Sequence, residues 1–145
     1  MEDRRPTMDQ KQRLLSQVPF FAGLNARDLD AIARVSDEID AKPGKVLAAQ
    51  GSAGHEFYVI VEGTVSVERD GQHLRDLGAG DTFGELALVA RIPRTATVTC
   101  TSPCRLIVLG AREFNALRLD HPEIESGMLR VVAQRLAALE ADRAH

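Results

Sequence analysis

Tryptophan is absent and aromatic residues make up only 4% of the 145 residues, so a core has to be assembled mainly from Leu, Ile, Val and Ala. Two cysteines, Cys100 and Cys104, are too few for a disulfide framework, and a chain of this length can bury a sufficient core without one. No apolar run approaches the ~20 residues of a membrane-spanning helix. The charged start Met1-Glu2-Asp3-Arg4-Arg5 lacks the apolar stretch of a secretory leader, so a soluble, cytoplasmic protein is expected. A basic excess is missing too: 18 Lys and Arg stand against 21 Asp and Glu, for a net charge of -3. Nucleic-acid readers use a basic face, so neither nucleic acid nor membrane is expected as a partner. The histidines His55, His73, His121 and His145 fall at no ligand spacing. Zinc held by the two cysteines would need two further ligands; both are read as buried free thiols and no metal site is assigned. With no nucleophile elbow and no paired acid and base, no catalytic residue is assigned and no enzyme is expected.

What the chain does contain is ordered by periodicity. Leu14, Leu15 and Val18 give an apolar stripe to a helix over about Met8 to Val18, ended by Pro19. Asn25 is placed to cap a second helix over about Ala26 to Val35, with Asp28 in its first turn and Leu29, Ile32 and Ala33 on one face. From about residue 36 to 110 the period shortens to two. Runs rich in Val, Ile, Thr, Phe and Tyr are punctuated by Pro43-Gly44, Gln50-Gly51, Glu62-Gly63, Asp70-Gly71 and Gly78-Ala79-Gly80, the pattern of antiparallel strands closed into a roll. Asp70-Gly71 suits a two-residue type I′ hairpin, which needs positive φ at both centres. Helical periodicity returns over about Arg112 to Leu119, and again from Pro122 to about Ala141. The last helix places Leu129, Val132, Leu136 and Leu139 on an a/d pattern of about two heptads. Two readings stand for it: docking onto the roll, or pairing with a second copy in a homodimer.

One segment carries chemistry. Gly84 follows the strand-like Phe83 and opens a short helical run, whose first backbone N–H groups are free to meet an anion. Arg94 adds a planar fork of donors that stays charged at any working pH and grips two phosphate oxygens at once. Glu85 would repel a phosphate, but an ionised carboxylate is a strong acceptor for a sugar hydroxyl. A phosphorylated sugar fits all three.

The order Phe83-Gly84-Glu85-Leu86-Ala87-Leu88, an interval, then Pro93-Arg94-Thr95-Ala96-Thr97-Val98 closely resembles the phosphate-binding cassette of the cyclic nucleotide-binding domain family, the type found in catabolite activators and protein kinase A regulatory subunits. The resemblance extends through Val18-Pro19-Phe20-Phe21, Pro43-Gly44-Lys45, Phe57-Tyr58-Val59-Ile60-Val61-Glu62-Gly63 and Thr64-Val65-Ser66-Val67. It implies a mainly β fold with flanking helices: an antiparallel, jelly-roll-like β-roll (a double-stranded β-helix) with N-terminal helices and C-terminal hinge and lid helices. The corresponding organisation is a helical segment over 1–17 and a cyclic nucleotide-binding domain over 18–145, with its roll at about 36–110 and its C-terminal helices at about 111–141.

The resemblance also implies a ligand-binding set of Phe83, Gly84, Glu85, Leu86, Arg94, Thr95, Ala96 and Arg135. Gly84, Glu85 and Leu86 would supply amides and the ribose acceptor, Arg94 would hold the cyclic phosphate with Thr95 and Ala96 beside it, and Arg135 would cover the base. Val59, Val61, Leu74 and Leu86 are candidate walls, with core the favoured reading. Arg91 departs from the pattern, standing where relatives commonly carry glycine, and is expected to face solvent. No cofactor is expected. The regulatory ligand is a cyclic nucleotide, with cAMP expected ahead of cGMP, and the remaining partner is an unidentified effector protein reached through movement of the last helix. The alternative is a β-roll interaction or dimerisation module that has lost the nucleotide. A metal-dependent β-barrel enzyme of the cupin kind is disfavoured by the missing histidine cluster.

Overall fold

The computed structural model describes residues 8–18, 21, 24–85, 88 and 92–144, without the side chains of 8, 9, 127, 128, 130–132, 135, 139 and 142–144. Two helices, α1 (Met8–Ser16) and α2 (Ala26–Val35), lead into eight strands: β1 (Asp37–Ala41), β2 (Val46–Ala48), β3 (Glu56–Glu62), β4 (Val65–Arg69), β5 (Gln72–Leu77), β6 (Thr82–Phe83), β7 (Thr97–Cys100) and β8 (Cys104–Gly110). Two further helices, α3 (Ala111–Asp120) and α4 (Pro122–Ala144), follow them. The strands form two antiparallel four-stranded sheets, ordered β1-β8-β3-β6 and β2-β7-β4-β5. This is the mainly β roll with flanking helices that the sequence implied.

The first sheet is covered on both faces, which explains why four consecutive residues of β3, Phe57 to Ile60, are all buried. Successive side chains of a strand point to opposite faces. Phe57, Val59, Ile107 and Leu109 therefore pack outward against the helices, meeting Leu15, Ile32, Phe114 and Ile124. Tyr58, Ile60, Cys104 and Leu106 point into the roll and meet Val65, Val67 and Val98 of the second sheet. The second sheet has one dry face only, and β4 and β7 alternate in burial accordingly.

Local chemistry sets the joints. The Asn25 side chain accepts from the backbone N–H of Asp28 (2.9 Å), capping α2 as expected. Its far end is closed by Lys11, a buried lysine of α1 that donates to the carbonyls of Ala33 and Ser36 and pairs with Glu38 at 3.1 Å. Asp70 (φ 53°) and Gly71 (φ 77°) form the predicted hairpin turn between β4 and β5. Pro122 opens α4, and His121 separates it from α3. No helix among the described residues is long and apolar enough to cross a membrane.

Candidate functional site

Inside the mouth of the roll lies a cavity of about 440 Å³, bordered by two stretches of the cassette, by the β4–β5 hairpin and by Ala138 of α4. β6 delivers the first stretch. Phe83 ends that strand with its ring stacked on Tyr58, centroids 4.7 Å apart. Gly84 then turns the chain with φ of 84°, a left-handed conformation that side chains other than glycine adopt at a cost. Glu85 is buried, and its carbonyl accepts from the backbone N–H of Leu88 (3.2 Å).

Arg94 arrives from the other stretch and folds back beneath Gly84. Its side chain is only 9% exposed, donates to the Glu56 carbonyl (2.9 Å) and lies 3.9 Å from the Glu56 carboxylate. Two glycines make room for it. A Cβ at Gly54 would collide with the Arg94 side chain within 2.5 Å, and one at Gly84 would come 2.6 Å from a guanidinium nitrogen and from the Glu56 carbonyl oxygen. The guanidinium is thus held in one orientation before any ligand arrives, which reduces the ordering cost of binding. The Glu56 carboxylate also accepts from the Tyr58 hydroxyl (3.0 Å). Burial, followed by that neighbouring carboxylate, pushes the Tyr58 phenol up to about 12.

Phe83, Gly84, Glu85, Arg94, Thr95 and Ala96 all border the one cavity. Leu86 and Arg91 lie outside the described residues, as does the side chain of Arg135, although its backbone belongs to α4 one turn before Ala138. Of the candidate walls, Leu74 borders the cavity, whereas Val59 and Val61 pack with the helices on the other side of the first sheet. Sequence reasoning missed Gly54 and Glu56, which fix Arg94, and Arg69 and Arg75, which border the cavity from the hairpin. Gly54 has an ordinary φ and marks no turn, so only the close approach of Arg94 betrays it.

Cys100 and Cys104 are free and buried. Burial, then a hydrogen bond with Cys104, raises the Cys100 thiol to about 11, the opposite of a metal-binding thiolate. One grouping was not foreseen: Asp28, His121 and Glu123 bring ligand-capable atoms within 4.8 Å of one another. Nδ1 of His121 stands 2.6 Å from Oδ1 of buried Asp28, the separation of a hydrogen-bonded pair, so the contact ties α2 to the α3–α4 joint.

A roll of two antiparallel sheets holding a nearly buried arginine beneath a left-handed glycine frames a candidate site for an anionic ligand. Residues 38–121, more than half of the chain, match the family model of the cyclic nucleotide-binding domain, and the chain belongs to that family. It is 34% identical over 92% of its length to a cyclic nucleotide-gated potassium channel of Rhizobium etli, of which it spans 38%. It is 30% identical over 85% of its length to the CRP-like cAMP-activated global transcriptional regulator of Mycobacterium tuberculosis, spanning 57% of that protein. Among solved structures, the N-terminal domain of a transcriptional regulator from Streptomyces coelicolor superposes with a TM-score of 0.76 at 30% identity, covering 90% of this chain and 94% of that one.

Proposed function

We propose that this chain is a cytoplasmic cyclic nucleotide receptor module that reports ligand occupancy to a partner protein through its C-terminal helix. The observation that carries the reading is Arg94, a nearly buried guanidinium fixed at the wall of a nucleotide-sized cavity. Its buried charge calls for an anion that can be bound bidentately, and a cyclic phosphate supplies one. Backbone N–H groups following Gly84 complete the anion site, with Leu86 proposed among them. Glu85 accepts from the ribose hydroxyl, Phe83 closes the inner wall, and Thr95 and Ala96 flank the phosphate. The name of the mycobacterial relative supports cAMP as a ligand. Arg94 and Glu85 serve cGMP equally, because phosphate and ribose are shared.

The output is proposed to run through α4. Its first turn is anchored by Ile124 in the helix-side core, and its distal half reaches the cavity at Ala138. A ligand that touches both ends favours one placement of this helix, and only such a difference in affinity shifts a population. Arg135 is proposed as the cation that covers the base. Leu129 and Leu136, 54% and 41% exposed and one heptad apart, support a second copy of this chain as a partner alongside an effector protein. A receptor rather than an enzyme is supported by the family, which is one of binding domains. The net charge of -3 favours a protein effector over nucleic acid.

Calorimetric titration with cAMP and with cGMP, repeated on Arg94→Ala, tests the assignment. Removing one partner of a buried charge pair costs about 2 to 5 kcal/mol, so both affinities are expected to fall by that amount. Binding that survives the substitution unchanged would remove Arg94 from the site, and a module that has lost its nucleotide binds neither ligand from the outset.

A further inference from the structure

The grouping of Asp28, His121 and Glu123 stands where the first turn of α2 meets the joint between α3 and α4, and none of the three borders the cavity. Part of it has an ordinary explanation. Nδ1 of His121 is 2.6 Å from Oδ1 of Asp28, a hydrogen-bond separation, and 3.7 Å from Oε1 of Glu123. Glu123 is an acid in the first turn of α4, which the helix dipole favours by itself.

Neither explanation reaches the second oxygen of Asp28. That side chain is 3% exposed, and its Oδ2 is buried with no hydrogen-bond partner among the described residues. A buried carboxylate oxygen in this state is costly, and it calls for a donor or an ion beyond those the chain supplies. Arg118, the cation that spans the same joint, is engaged by Asn115 and Glu125.

From this arrangement we propose that Asp28, His121 and Glu123 bind a divalent transition-metal ion, zinc being the expected one. An imidazole nitrogen with two carboxylates is a donor set that zinc accepts, whereas calcium and magnesium take oxygen ligands. Two carboxylates and a neutral imidazole carry two negative charges, which a divalent ion cancels, and its binding releases any proton shared between Nδ1 and Oδ1. Zinc holds its ligands at about 2.0 to 2.2 Å, which sets tetrahedral donor atoms roughly 3.3 Å apart. The separations of 2.6 and 3.7 Å lie on either side of that value. Oδ2 offers the ion a second Asp28 oxygen, and the half-exposed Glu123 leaves a side open for entry and for a bound water. Bound there, the ion clamps α2 to the end of α3 and the start of α4, fixing the joint from which α4 departs. The inference is independent of the nucleotide reading.

The test is calorimetric titration of the full, untagged and reduced chain with Zn2+ alone, in which one ion per chain is expected. Free zinc at a hundredfold excess over its Kd is expected to raise the folding constant from urea titration by about 100-fold. Glu123→Gln alters a half-exposed side chain, so the metal-free protein stays folded. It is expected to weaken zinc by more than the roughly 10-fold that loss of an outer-shell contact costs. His121→Ala is expected to abolish binding. His73→Ala, at the exposed His73–Asp76 pair, is expected to leave it intact. Cobalt in place of zinc is expected to show no thiolate-to-metal charge-transfer band, which separates this site from Cys100 and Cys104. The assignment is overturned if the folded wild-type chain binds no zinc, or if binding survives both Glu123→Gln and His121→Ala. Loss of binding with His73→Ala, or a thiolate band from cobalt, overturns it as well.

Discussion

Tyr58 is the only tyrosine in the chain, which makes the interior of the roll directly observable. Its ring stacks on Phe83 at the end of the cassette strand, and its hydroxyl bonds the same Glu56 whose carbonyl holds Arg94. Burial and the nearby carboxylate oppose ionisation, raising the phenol from 10.0 to about 12. The folded state then holds the proton more tightly than the unfolded chain between these values, so stability falls as pH rises through that window. Ultraviolet titration of the folded protein is expected to show phenolate appearing with a midpoint near 12, and Tyr58→Phe is expected to lessen the alkaline loss of stability. A midpoint near 10 would place the hydroxyl in solvent and break the link between Tyr58 and the arginine's support. At this scale Gly84, Glu85 and Arg94 were singled out in the sequence, because a glycine, an acid and an arginine in that order share the chemistry of holding a phosphorylated sugar. Gly54 and Glu56 were not, since their contribution is a close approach and a main-chain carbonyl, neither of which leaves a mark on residue type.

Elements were legible where local chemistry alone decides them. Asn25 capped its helix, Asp70-Gly71 turned its hairpin, and Pro122 opened the last helix, each fixed by dihedral preference or an available donor. The facing of β5 was not readable. A bulge between Val67 and Glu68 determines which side chains of that strand look inward, and a one-residue shift exchanges the two faces of a strand. The joint between α3 and α4 is a second case, because His121 reads as an ordinary turn residue. In three dimensions it reaches back to Asp28 on α2, whose other carboxylate oxygen is buried and has no hydrogen-bond partner among the described residues. Arg118 of α3 spans the same joint to Glu125 of α4 at 2.6 Å. His121→Ala leaves the buried Asp28 carboxylate with no side-chain hydrogen-bond partner among the described residues, and an unsatisfied buried group costs about 1 to 3 kcal/mol. A corresponding drop in the urea midpoint with an unchanged slope is expected. An unaltered midpoint would show that the pair contributes nothing to fixing the helices.

Taken whole, the molecule has a stiff centre and a helical margin. The first sheet is packed on both faces, and the cassette strand β6 lies at its edge against β3, the strand that begins with Glu56 and continues into four buried residues. The helices carry the other side of that sheet, where Phe57 and Val59 contact Phe114 and Ile124 across one shared core. A ligand pressing on Phe83, whose ring stacks on Tyr58, acts on the opposite face of the strand that touches the C-terminal helices, which gives site and helix a common element. The sequence showed the roll and the amphipathic helix separately. It could not show that one strand presents its alternate residues to both. That the helix responds to the ligand is the central claim, and amide hydrogen exchange along the whole chain, with and without saturating cyclic nucleotide, tests it most directly. Slower exchange is predicted over residues 80–96 and also over 111–141, where α3 and α4 lie. Protection confined to the cassette, with unchanged exchange in residues 122–141, would contradict the account and leave a binding site with no output.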